Sequence, residues 1–399
     1  MNNEGEQGQG RSSGTWGVDQ VNYDALDRVK LRCIEASRRT LEFASDYGSV
    51  LDGALGASAN IFTIPLGRLF ANSAEDEQKK GGEIAVSLVT EGLGTADDAR
   101  PEHLTPEEEY QFWYHIAIKT ISALTNDVAS CGMRPLLISQ YLPTSTPERV
   151  FSEGFLDGFL DGFVAGCKKV GSVYISGETP QLKTKIVEGR IDVAGAVFGV
   201  MPLGIAPVGG AELGPGQEII FIASSGPQEN GYTPLRELAA LLPFGYRTTL
   251  PSGMEYWRAL NAPSVLYSPL VQEVLCRGIR PVSMENISGH GWLKMMRGKQ
   301  PLRYRIEQML PVPEVFSFYA AQKRLAIEDL LSVFNLGAGF MMIARDGNDA
   351  HGILRSAEDL GYRALRAGRT EETAGEGREV VVEPLGVRLG DGGFLLRKG

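Results

Sequence analysis

Apolar residues recur at two spacings along this chain, and each spacing predicts a different element. Continuous apolar runs of strand length predict buried strands, at 83–90, 136–142, 172–176, 191–200, 218–223 and 338–345. Segments with apolar residues at every third or fourth position predict helices, at 22–45, 105–131, 147–170, 234–242, 268–278 and 327–334. The C-terminal stretches 379–389 and 392–398 are strand-like. Strands and helices interleave in both halves, so the predicted class is α/β or mixed α+β.

Two of the predicted helices have distinctive patterns. The helix at 105–131 begins with TPEE, which is typical of a capping box between Thr105 and Glu108. In the helix at 147–170, Phe155, Phe159 and Phe163 recur every fourth residue with Leu156 and Leu160 beside them, which predicts one apolar face. The carboxylates of Asp157 and Asp161 lie off that face, and we expect them to be solvated rather than to bind a metal.

A change in composition divides the chain. Residues 201–217 are rich in Gly and Pro and are typical of a connection between domains. We therefore predict a polar, flexible arm at 1–15, an N-terminal domain at 16–205 and a C-terminal domain at 206–399.

Composition excludes several classes of protein. The 399 residues carry 39 Lys+Arg and 49 Asp+Glu, a formal charge of −10, which argues against a nucleic-acid-binding surface. No apolar run approaches the roughly 20 residues that a membrane-spanning helix needs. The polar N-terminus does not resemble a signal peptide. We therefore expect a cytoplasmic protein, with its four cysteines reduced and buried.

The common signatures for nucleotides and hydrolases are absent. The sequence contains no G-x-x-x-x-G-K-[ST], no G-x-G-x-x-G and no G-x-S-x-G, so it predicts neither a P-loop nor a dinucleotide fold nor a nucleophile elbow. The four histidines are scattered and have no zinc-ligand spacing. His115 falls within a helix and is expected to be structural, whereas His290 lies between two glycines in a loop that a ligand could approach.

Carboxylates and glycines at the ends of predicted elements suggest a phosphate and magnesium site. Glu91, Glu178 and Asp192 flank strands, and Asp127 lies late in the long helix. Mg²⁺ prefers oxygen ligands and is usually held by one or two carboxylates together with substrate phosphates. The turn SSGPQENGY at 224–232 joins a strand to a helix, where backbone N–H groups can bind an anion. Each feature is also common in ordinary turns, so the prediction depends on their occurring together.

These segments resemble a known family. In order along the chain, WGVDQVNYDAL, VTEGLGT, TNDVASCGMRPLLI, ISGETPQL, DVAGAVFGV, SSGPQENGYTPLR, NAPSVLY, NISGHGW and VFNLGAGFMMI match motifs of the phosphoribosylformylglycinamidine cyclo-ligase (aminoimidazole ribonucleotide synthetase) family. The matches span about residues 16–345, and their order and spacing are more specific than any one motif.

The resemblance implies a fold and an activity. The fold would have two α/β domains, with a sheet of the first domain forming a homodimer interface and ATP binding near the dimer cleft. The activity would be the ATP-dependent closure of formylglycinamidine ribonucleotide, a phosphoribosyl substrate, to aminoimidazole ribonucleotide in purine biosynthesis. Phosphorylation of the formyl oxygen by Mg²⁺–ATP would make that oxygen a good leaving group.

The resemblance also implies roles for individual residues. Those expected to bind ATP, with Mg²⁺ on the three carboxylates of this set, are Glu91, Gly92, Gly94, Thr95, Asp127, Gly177, Glu178, Ser225 and Gly226. Those expected in the substrate loop are Asn286, Ser288, Gly289, His290 and Gly291. The residues expected to take part in catalysis are Asp127, Gln228 and Asn230, with Gly231 shaping the same wall of the site.

The chain departs from the family pattern where charge and proton transfer are needed. Glu91 replaces the usual Asp, Ala96 replaces a lysine, and Gln228 and Asn286 replace histidines. The first-domain turn reads GASA at 56–59, and Gly14 stands where the family often has a lysine. An amide cannot shuttle a proton as an imidazole can. Two alternatives therefore stay open, a paralogue that uses ATP on another substrate and a catalytically inactive ATP-binding regulator.

Overall fold

The computed structural model describes residues 43, 49–51, 61–65 and 83–390, with gaps at 203, 374 and 376. Several predicted features lie outside these residues. They are the arm, the helix at 22–45, the turn at 56–59 and the tail strand at 392–398.

The first half of the described chain forms a six-stranded sheet. Its strands are β1 (Ser49–Val50), β2 (Phe62–Pro65), β3 (Glu83–Gly92), β4 (Arg134–Tyr141), β5 (Val173–Glu178) and β6 (Ala194–Val200). They run in the order β1-β2-β3-β6-β4-β5, and every pair is antiparallel except β4 and β5. Apolar residues alternate along β3 and β6, so one face of this sheet is buried and the other is more exposed.

Helices cover the buried face of this sheet. They are α1 (Pro106–Ser130), α2 (Pro147–Val150) and α3 (Glu153–Val170). The predicted capping box is present, since Glu108 N donates to Thr105 Oγ1 at 3.2 Å and Thr105 N donates to Glu108 Oε2 at 3.1 Å. The helix predicted at 147–170 is interrupted, because the Ser152 hydroxyl accepts from Phe155 N and starts a new helix.

The predicted apolar face of α3 is only partly correct. The three predicted core phenylalanines are buried, but Leu156 and Leu160 are 39% and 45% exposed, so their assignment to the core face was wrong.

Glycines bring α3 unusually close to α1. The face beside the phenylalanines carries Gly158 and Gly162. A Cβ on Gly158 would lie 2.3 Å from the carbonyl oxygen of Tyr110 in α1. The backbones of the two helices are therefore in direct contact, which no larger residue would permit.

The second half forms a seven-stranded sheet in the order β13-β12-β9-β11-β7-β10-β8. These strands are β7 (Glu218–Ala223), β8 (Ser283–Asn286), β9 (Leu302–Ile306), β10 (Ala338–Ala344), β11 (Ala364–Glu372), β12 (Glu379–Val382) and β13 (Val387–Gly390). The helices of this half are α4 (Tyr232–Leu241), α5 (Tyr256–Leu260), α6 (Ser268–Cys276), α7 (Glu314–Lys323) and α8 (Gly347–Asp359). Strand β7 lies near the centre and is almost wholly buried.

The mixed α/β class is confirmed, with some local differences. One sheet ends at residue 200 and the other begins at 218, so the predicted connection at 201–217 lies between them. The domain boundary at 205/206 stays a prediction. The helix predicted at 327–334 is only a short 3₁₀ turn at Ile327–Leu330. The elements that were not predicted are short, or have apolar patterns that polar residues interrupt. They are strands β1, β2, β8, β9 and β11 and helices α5, α7 and α8.

Two of the three described cysteines are buried. Cys131 and Cys167 are buried and form no disulfide, as expected, but Cys276 is exposed, and that part of the cysteine prediction was wrong. Cys33 lies outside the described residues. No helix among the described residues has the length and apolar character to cross a membrane.

The α1–α3 contact predicts the outcome of a glycine substitution. Gly158→Ala should lower the free energy of unfolding by roughly 1–3 kcal/mol, because the new methyl group collides with backbone and the helices must separate. Gly209→Ala is the control, since no atom lies within 4 Å of its Cβ position. Urea unfolding of both variants measures the difference. Equal stability of Gly158→Ala and the parent protein would contradict the close-contact interpretation.

Candidate functional site

A polar stripe on α1 joins the two halves of the protein. Lys119, Ser122 and Asn126 lie on one side of this otherwise apolar helix, at spacings of three and four residues. Asn126 Nδ2 donates to the carbonyl oxygen of Val265 at 3.0 Å, and its Oδ1 accepts from Tyr267 N at 2.8 Å. The Ser122 hydroxyl donates to the same Val265 carbonyl. The stripe therefore binds the backbone at 262–267 of the second half.

Lys119 binds the turn at 224–232 from the interior of the protein. It is fully buried, and its Nζ donates to the carbonyl oxygens of Gln228 at 3.0 Å and Ala262 at 2.7 Å. Burial lowers the pKa of Lys119 to about 8, against the opposing effect of Glu229. Burial in turn raises the pKa of Glu229, and one of its carboxylate oxygens has no hydrogen-bond partner among the described residues. This pair of opposite charges lies inside the interface between the two halves.

Asp127 and Asn286 meet across the same interface. Asn286 ends strand β8, and its Nδ2 donates to Asp127 Oδ1 at 2.8 Å. Both side chains are buried, at 8% and 3% exposed. Asn286 Oδ1 has no partner among the described residues. Since buried polar atoms are normally hydrogen-bonded, this oxygen marks a position where a ligand or water would be stabilised. Two predicted site residues from opposite halves are thus brought together.

Lys294 is a further charged residue at this point, and sequence reasoning did not identify it. It lies in a 3₁₀ segment at Gly291–Arg297, is 5% exposed, and donates from Nζ to Asn286 O at 3.1 Å and to the Ser288 hydroxyl. Burial and the charge of Arg297 lower the pKa of Lys294 to about 8. The charges of Asp127, Glu285 and Glu91 act in the opposite direction, so all three carboxylates are within electrostatic range of this amine.

Glu285 has a separate partner. Its carboxylate lies 3.4 Å from Arg297 Nη1. Burial raises the pKa of Glu285, and Arg297 partly offsets that effect. Besides Glu285, the carboxylates of Asp127 and Glu91 also act on Lys294.

The loop after β3 forms the first-half wall of the cleft. Glu91 and Gly92 are the last residues of β3 and pair with Gly195 and Ala194 of β6. Gly94 has a φ of +59°, which favours glycine, and no atom lies within 4 Å of its Cβ position. Thr95 begins a short 3₁₀ turn. The open space beside Gly94 would let a phosphate approach the backbone.

Gly177 and Glu178 lie on a different strand, and Glu178 points to the other face. Gly177 pairs with Gln140, which pairs with Gly195 and Glu91 in the same row across the sheet. A Cβ on Gly195 would meet Leu124 of α1, so this row faces α1. Glu178 is the next residue along β5 and therefore faces away from α1.

The three carboxylates predicted to bind a metal, those of Glu91, Asp127 and Glu178, do not lie close together within one chain. Three strand spacings, about 14 Å, separate β3 from β5, and Glu178 lies on the face opposite α1. Within the described ranges, no three His, Cys, Asp or Glu side chains converge as a metal-ligand group. Glu91 and Asp127 remain on the same side of the sheet, where phosphate oxygens could complete a coordination sphere.

The turn at 224–232 is held by Asn335 as well as by Lys119. Asn335 Nδ2 donates to Gly226 O at 2.8 Å, and its Oδ1 accepts from the Ser224 hydroxyl at 2.8 Å. The hydroxyl of Ser225 is buried and has no partner among the described residues. Gly231 has a φ of +78°, and a Cβ there would lie 2.2 Å from the ring of Phe334. Packing therefore requires glycine at 231.

Gln228 points into the protein. It is 2% exposed and has a φ of +57°. Its Oε1 accepts from the Tyr267 hydroxyl at 3.1 Å and from Val265 N at 3.4 Å. This geometry anchors the amide oxygen of Gln228 inside the protein, beside Tyr267 and Val265.

The loop after β8 meets the turn at 224–232. A Cβ on Gly289 would lie 3.4 Å from Asn230 Oδ1, so these two predicted site residues are close. His290 has a φ of +69° and precedes the 3₁₀ segment. A Cβ on Gly291 would lie 2.2 Å from Leu331 O, so glycine is required there by packing. Asn230, Ser288 and Gly289 therefore surround the same corner as Asn286.

This chain is similar to known cyclo-ligases along most of its length. Residues 81–201 match the family model described as "AIR synthase related protein, N-terminal domain". Phosphoribosylformylglycinamidine cyclo-ligases of Bacillus pumilus and Staphylococcus carnosus are 28% and 26% identical, each over 90% of this chain and 95% of its own length. That of Thermococcus gammatolerans is 28% identical over 77% of this chain and 84% of its own. The chain is a divergent relative of these cyclo-ligases. The resemblance inferred from the motifs is confirmed.

Solved structures of other relatives share the fold. AaThiL, solved with AMPPCP and TMP, matches with a TM-score of 0.53 at 14% identity, covering 89% of this chain and 95% of its own. E. coli HypE, a hydrogenase maturation protein, matches with a TM-score of 0.52 at 17% identity, covering 80% of this chain and 88% of its own. At such low identity these structures support the shared fold of this cyclo-ligase relative and nothing finer.

A second contact between the halves of this cyclo-ligase relative is ionic. Glu108, in the first turn of α1, accepts from both terminal nitrogens of Arg247 at 2.7 Å and from Arg258 Nη2 at 2.7 Å. The hydrogen bonds from Arg247 lower the pKa of Glu108 to about 2, against the opposing effect of burial. Both arginines also lie over the ring of Trp257.

This contact predicts an acid-sensitive contribution to stability. The pKa of Glu108 is depressed in the folded state from 4.5 to about 2, so its contribution is complete above about 4.5 and is lost as the pH falls toward 2. We expect the stability difference between the parent protein and Glu108→Gln to shrink over that interval. Urea unfolding at several pH values measures it, with the exposed neighbour Glu107→Gln as control. A difference that does not change with pH would contradict the assignment.

Proposed function

We propose that this chain is an ATP-dependent cyclo-ligase that converts formylglycinamidine ribonucleotide to aminoimidazole ribonucleotide, releasing ADP and phosphate. The observation that carries the proposal is the meeting of Asp127 and Asn286 across the interface at 2.8 Å. It brings two motifs of the family together, and Glu91, three residues before Gly94, acts on the adjoining Lys294. The named relatives cover almost the whole chain, which supports the same conclusion.

The proposed reaction needs two bond changes at the formyl group. First, the formyl oxygen bonds to the γ-phosphorus while the bond from that phosphorus to the β–γ bridging oxygen breaks, and ADP leaves. An amidine-side nitrogen of the same substrate then attacks the formyl carbon, and the former formyl oxygen departs with phosphate. Because both reacting ends belong to one molecule, a cleft that holds them together makes the closure unimolecular.

Residues of both halves have roles in this proposal. Glu91 and Asp127 would hold Mg²⁺ on the phosphates of ATP, where the metal neutralises charge during phosphoryl transfer. Backbone at Gly92–Thr95 and at Ser225–Gly226 would donate to phosphate oxygens. Asn230, Asn286, Ser288 and Gly289 would orient the substrate, with His290 and Gly291 completing its loop. Gln228 would hold the turn in place rather than transfer a proton, because its amide oxygen is bonded to the Tyr267 hydroxyl in the interior and an amide cannot shuttle a proton as an imidazole can.

A second candidate function is ATP-dependent chemistry on a different substrate. Two of the residues that differ from the family, Gln228 and Asn286, lie on the second-half wall, and two others, Glu91 and Ala96, flank Gly94. A change of substrate would account for the differences on the second-half wall. The occurrence of the fold in AaThiL and in HypE fits this reading also.

A direct assay tests the proposed function. Purified protein, Mg²⁺, ATP and formylglycinamidine ribonucleotide should give the aminoimidazole product with one ADP and one phosphate per turnover. ATP binding without turnover would reject the cyclo-ligase proposal and favour either the second candidate or an inactive regulator. Absence of ATP binding would reject both ATP-dependent functions.

Asp127→Asn should weaken binding of Mg²⁺–ATP by at least about 10-fold, because the substitution removes the charge while leaving a side chain of the same size. Isothermal titration calorimetry with a non-hydrolysable ATP analogue measures this. The control is Asp157→Asn, an exposed residue of α3. Unchanged affinity for Asp127→Asn would remove this residue from the proposed metal site.

The exposed face of the first sheet is the proposed homodimer interface. Leu88 is 67% exposed and pairs with Phe198 on that face, and Tyr141 is 41% exposed nearby. Glu178 points to the same side, so a second copy there would lie beside it. Sedimentation equilibrium should show a dimer that Leu88→Glu weakens. A monomeric parent protein at micromolar concentration would contradict this arrangement.

A further inference from the structure

The loop after β3, on the proposed phosphate wall, contains no cation of its own. The loop that follows β3 reads Gly92-Leu93-Gly94-Thr95-Ala96, and none of these residues is basic. The nearby carboxylates Glu91 and Asp127 are both acidic. A cleft of this composition would repel a triphosphate unless a metal and a cationic side chain offset its charge.

Lys294 is placed to supply that charge. It lies in the second half, almost fully buried, and its amine is within electrostatic range of both Glu91 and Asp127. Its two hydrogen bonds, to Asn286 O and the Ser288 hydroxyl, hold the amine at the start of the substrate loop. Lys294 therefore lies between the proposed metal carboxylates and the proposed substrate residues.

The amine also has capacity for a ligand. A protonated lysine has three N–H donors. Two of them are used by Asn286 and Ser288, and no other acceptor for Lys294 exists among the described residues. Next to it, Asn286 Oδ1 is buried without a partner in the described part of the chain. Buried polar groups in a protein core normally have hydrogen-bond partners. The unused N–H of Lys294 and the unused oxygen of Asn286 are therefore more typical of a site for a polar ligand than of a core.

We propose that Lys294 is the phosphate-binding cation of this cleft and contacts the phosphoryl group that ATP transfers. The inference rests on the proposed function. It assigns to the second half a role for which the first-half loop has no residue, since position 96 is alanine. An ammonium at this point would stabilise charge on the transferred group while it is shared between the two oxygens.

Nucleotide binding to Lys294→Met tests the proposal. Calorimetry should show that Mg²⁺–AMPPCP binds about 10-fold or more weakly to this variant than to the parent protein, whereas Mg²⁺–ADP, which lacks the transferred group, changes much less. Lys294→Arg should recover part of the loss because it keeps the charge. Lys299→Met is the control, since Lys299 is exposed five residues along the chain.

The outcomes separate this proposal from the proposed function. A parent protein that binds no Mg²⁺–AMPPCP overturns both. A parent protein that binds it, with equal affinity in folded Lys294→Met, overturns the role of Lys294 alone. An equal loss for ADP and AMPPCP also overturns it, because the effect would then be structural.

If Lys294→Met does not fold, a measurement on the parent protein tests the proposal instead. Lysine acetylation with mass-spectrometric readout is compared with and without Mg²⁺–AMPPCP. Selective protection of Lys294 over Lys299 supports the proposal, and an unchanged rate of modification at Lys294 overturns it.

Discussion

The polar stripe on α1 is the constraint on which the rest of the structure depends. A 25-residue helix whose second half is entirely buried would normally be apolar all round, but this one buries Lys119, Ser122 and Asn126. Each is costly to bury unless its hydrogen bonds are made. The backbone at 262–267 and the carbonyl of Gln228 make them. Because these donors and acceptors match in one arrangement only, the stripe sets how the two sheets meet, and hence where Asp127 meets Asn286.

The same contacts explain why some polar groups of the turn at 224–232 are hydrogen-bonded within the protein and others are not. Lys119, Asn335 and the amide oxygen of Gln228 make hydrogen bonds on the inner side of the turn, and Gly231 packs against an aromatic ring. The hydroxyl of Ser225, by contrast, is unpartnered within the described residues. A turn held so firmly on one side presents its remaining polar groups in a fixed position, which is what an anion-binding site requires. The glutamine in place of a histidine is thus part of the support.

Charge in the cleft comes from both halves and is unevenly distributed. The first half contributes Glu91 and Asp127, and the second contributes Lys294 with the Glu285–Arg297 pair. Within the described part of this cluster, the amine and the guanidinium come from the second half. A site divided in this way is complete only when the interface is formed, so the proposed nucleotide site and the packing of α1 are physically linked. Glu178 stands apart from this cleft, because alternation along β5 directs it to the opposite face.

Local patterns in the sequence determined much of this protein and failed at identifiable points. The capping box of α1, the buried strands β3, β6, β7 and β10, and the phenylalanine face of α3 follow from short-range periodicity, which depends only on neighbouring residues. The motif order indicated the resemblance to the cyclo-ligases for the same reason, since each motif is local. Periodicity did not reveal strand β8, because three of its four residues, SMEN, are polar. Only the tertiary structure decided which face Glu178 occupies, that Gln228 turns inward, and that Lys119 and Lys294 lie buried at the interface. Those outcomes depend on strand register and on hydrogen bonds between residues more than 100 positions apart, such as Lys119 and Gln228, and no local pattern contains that information.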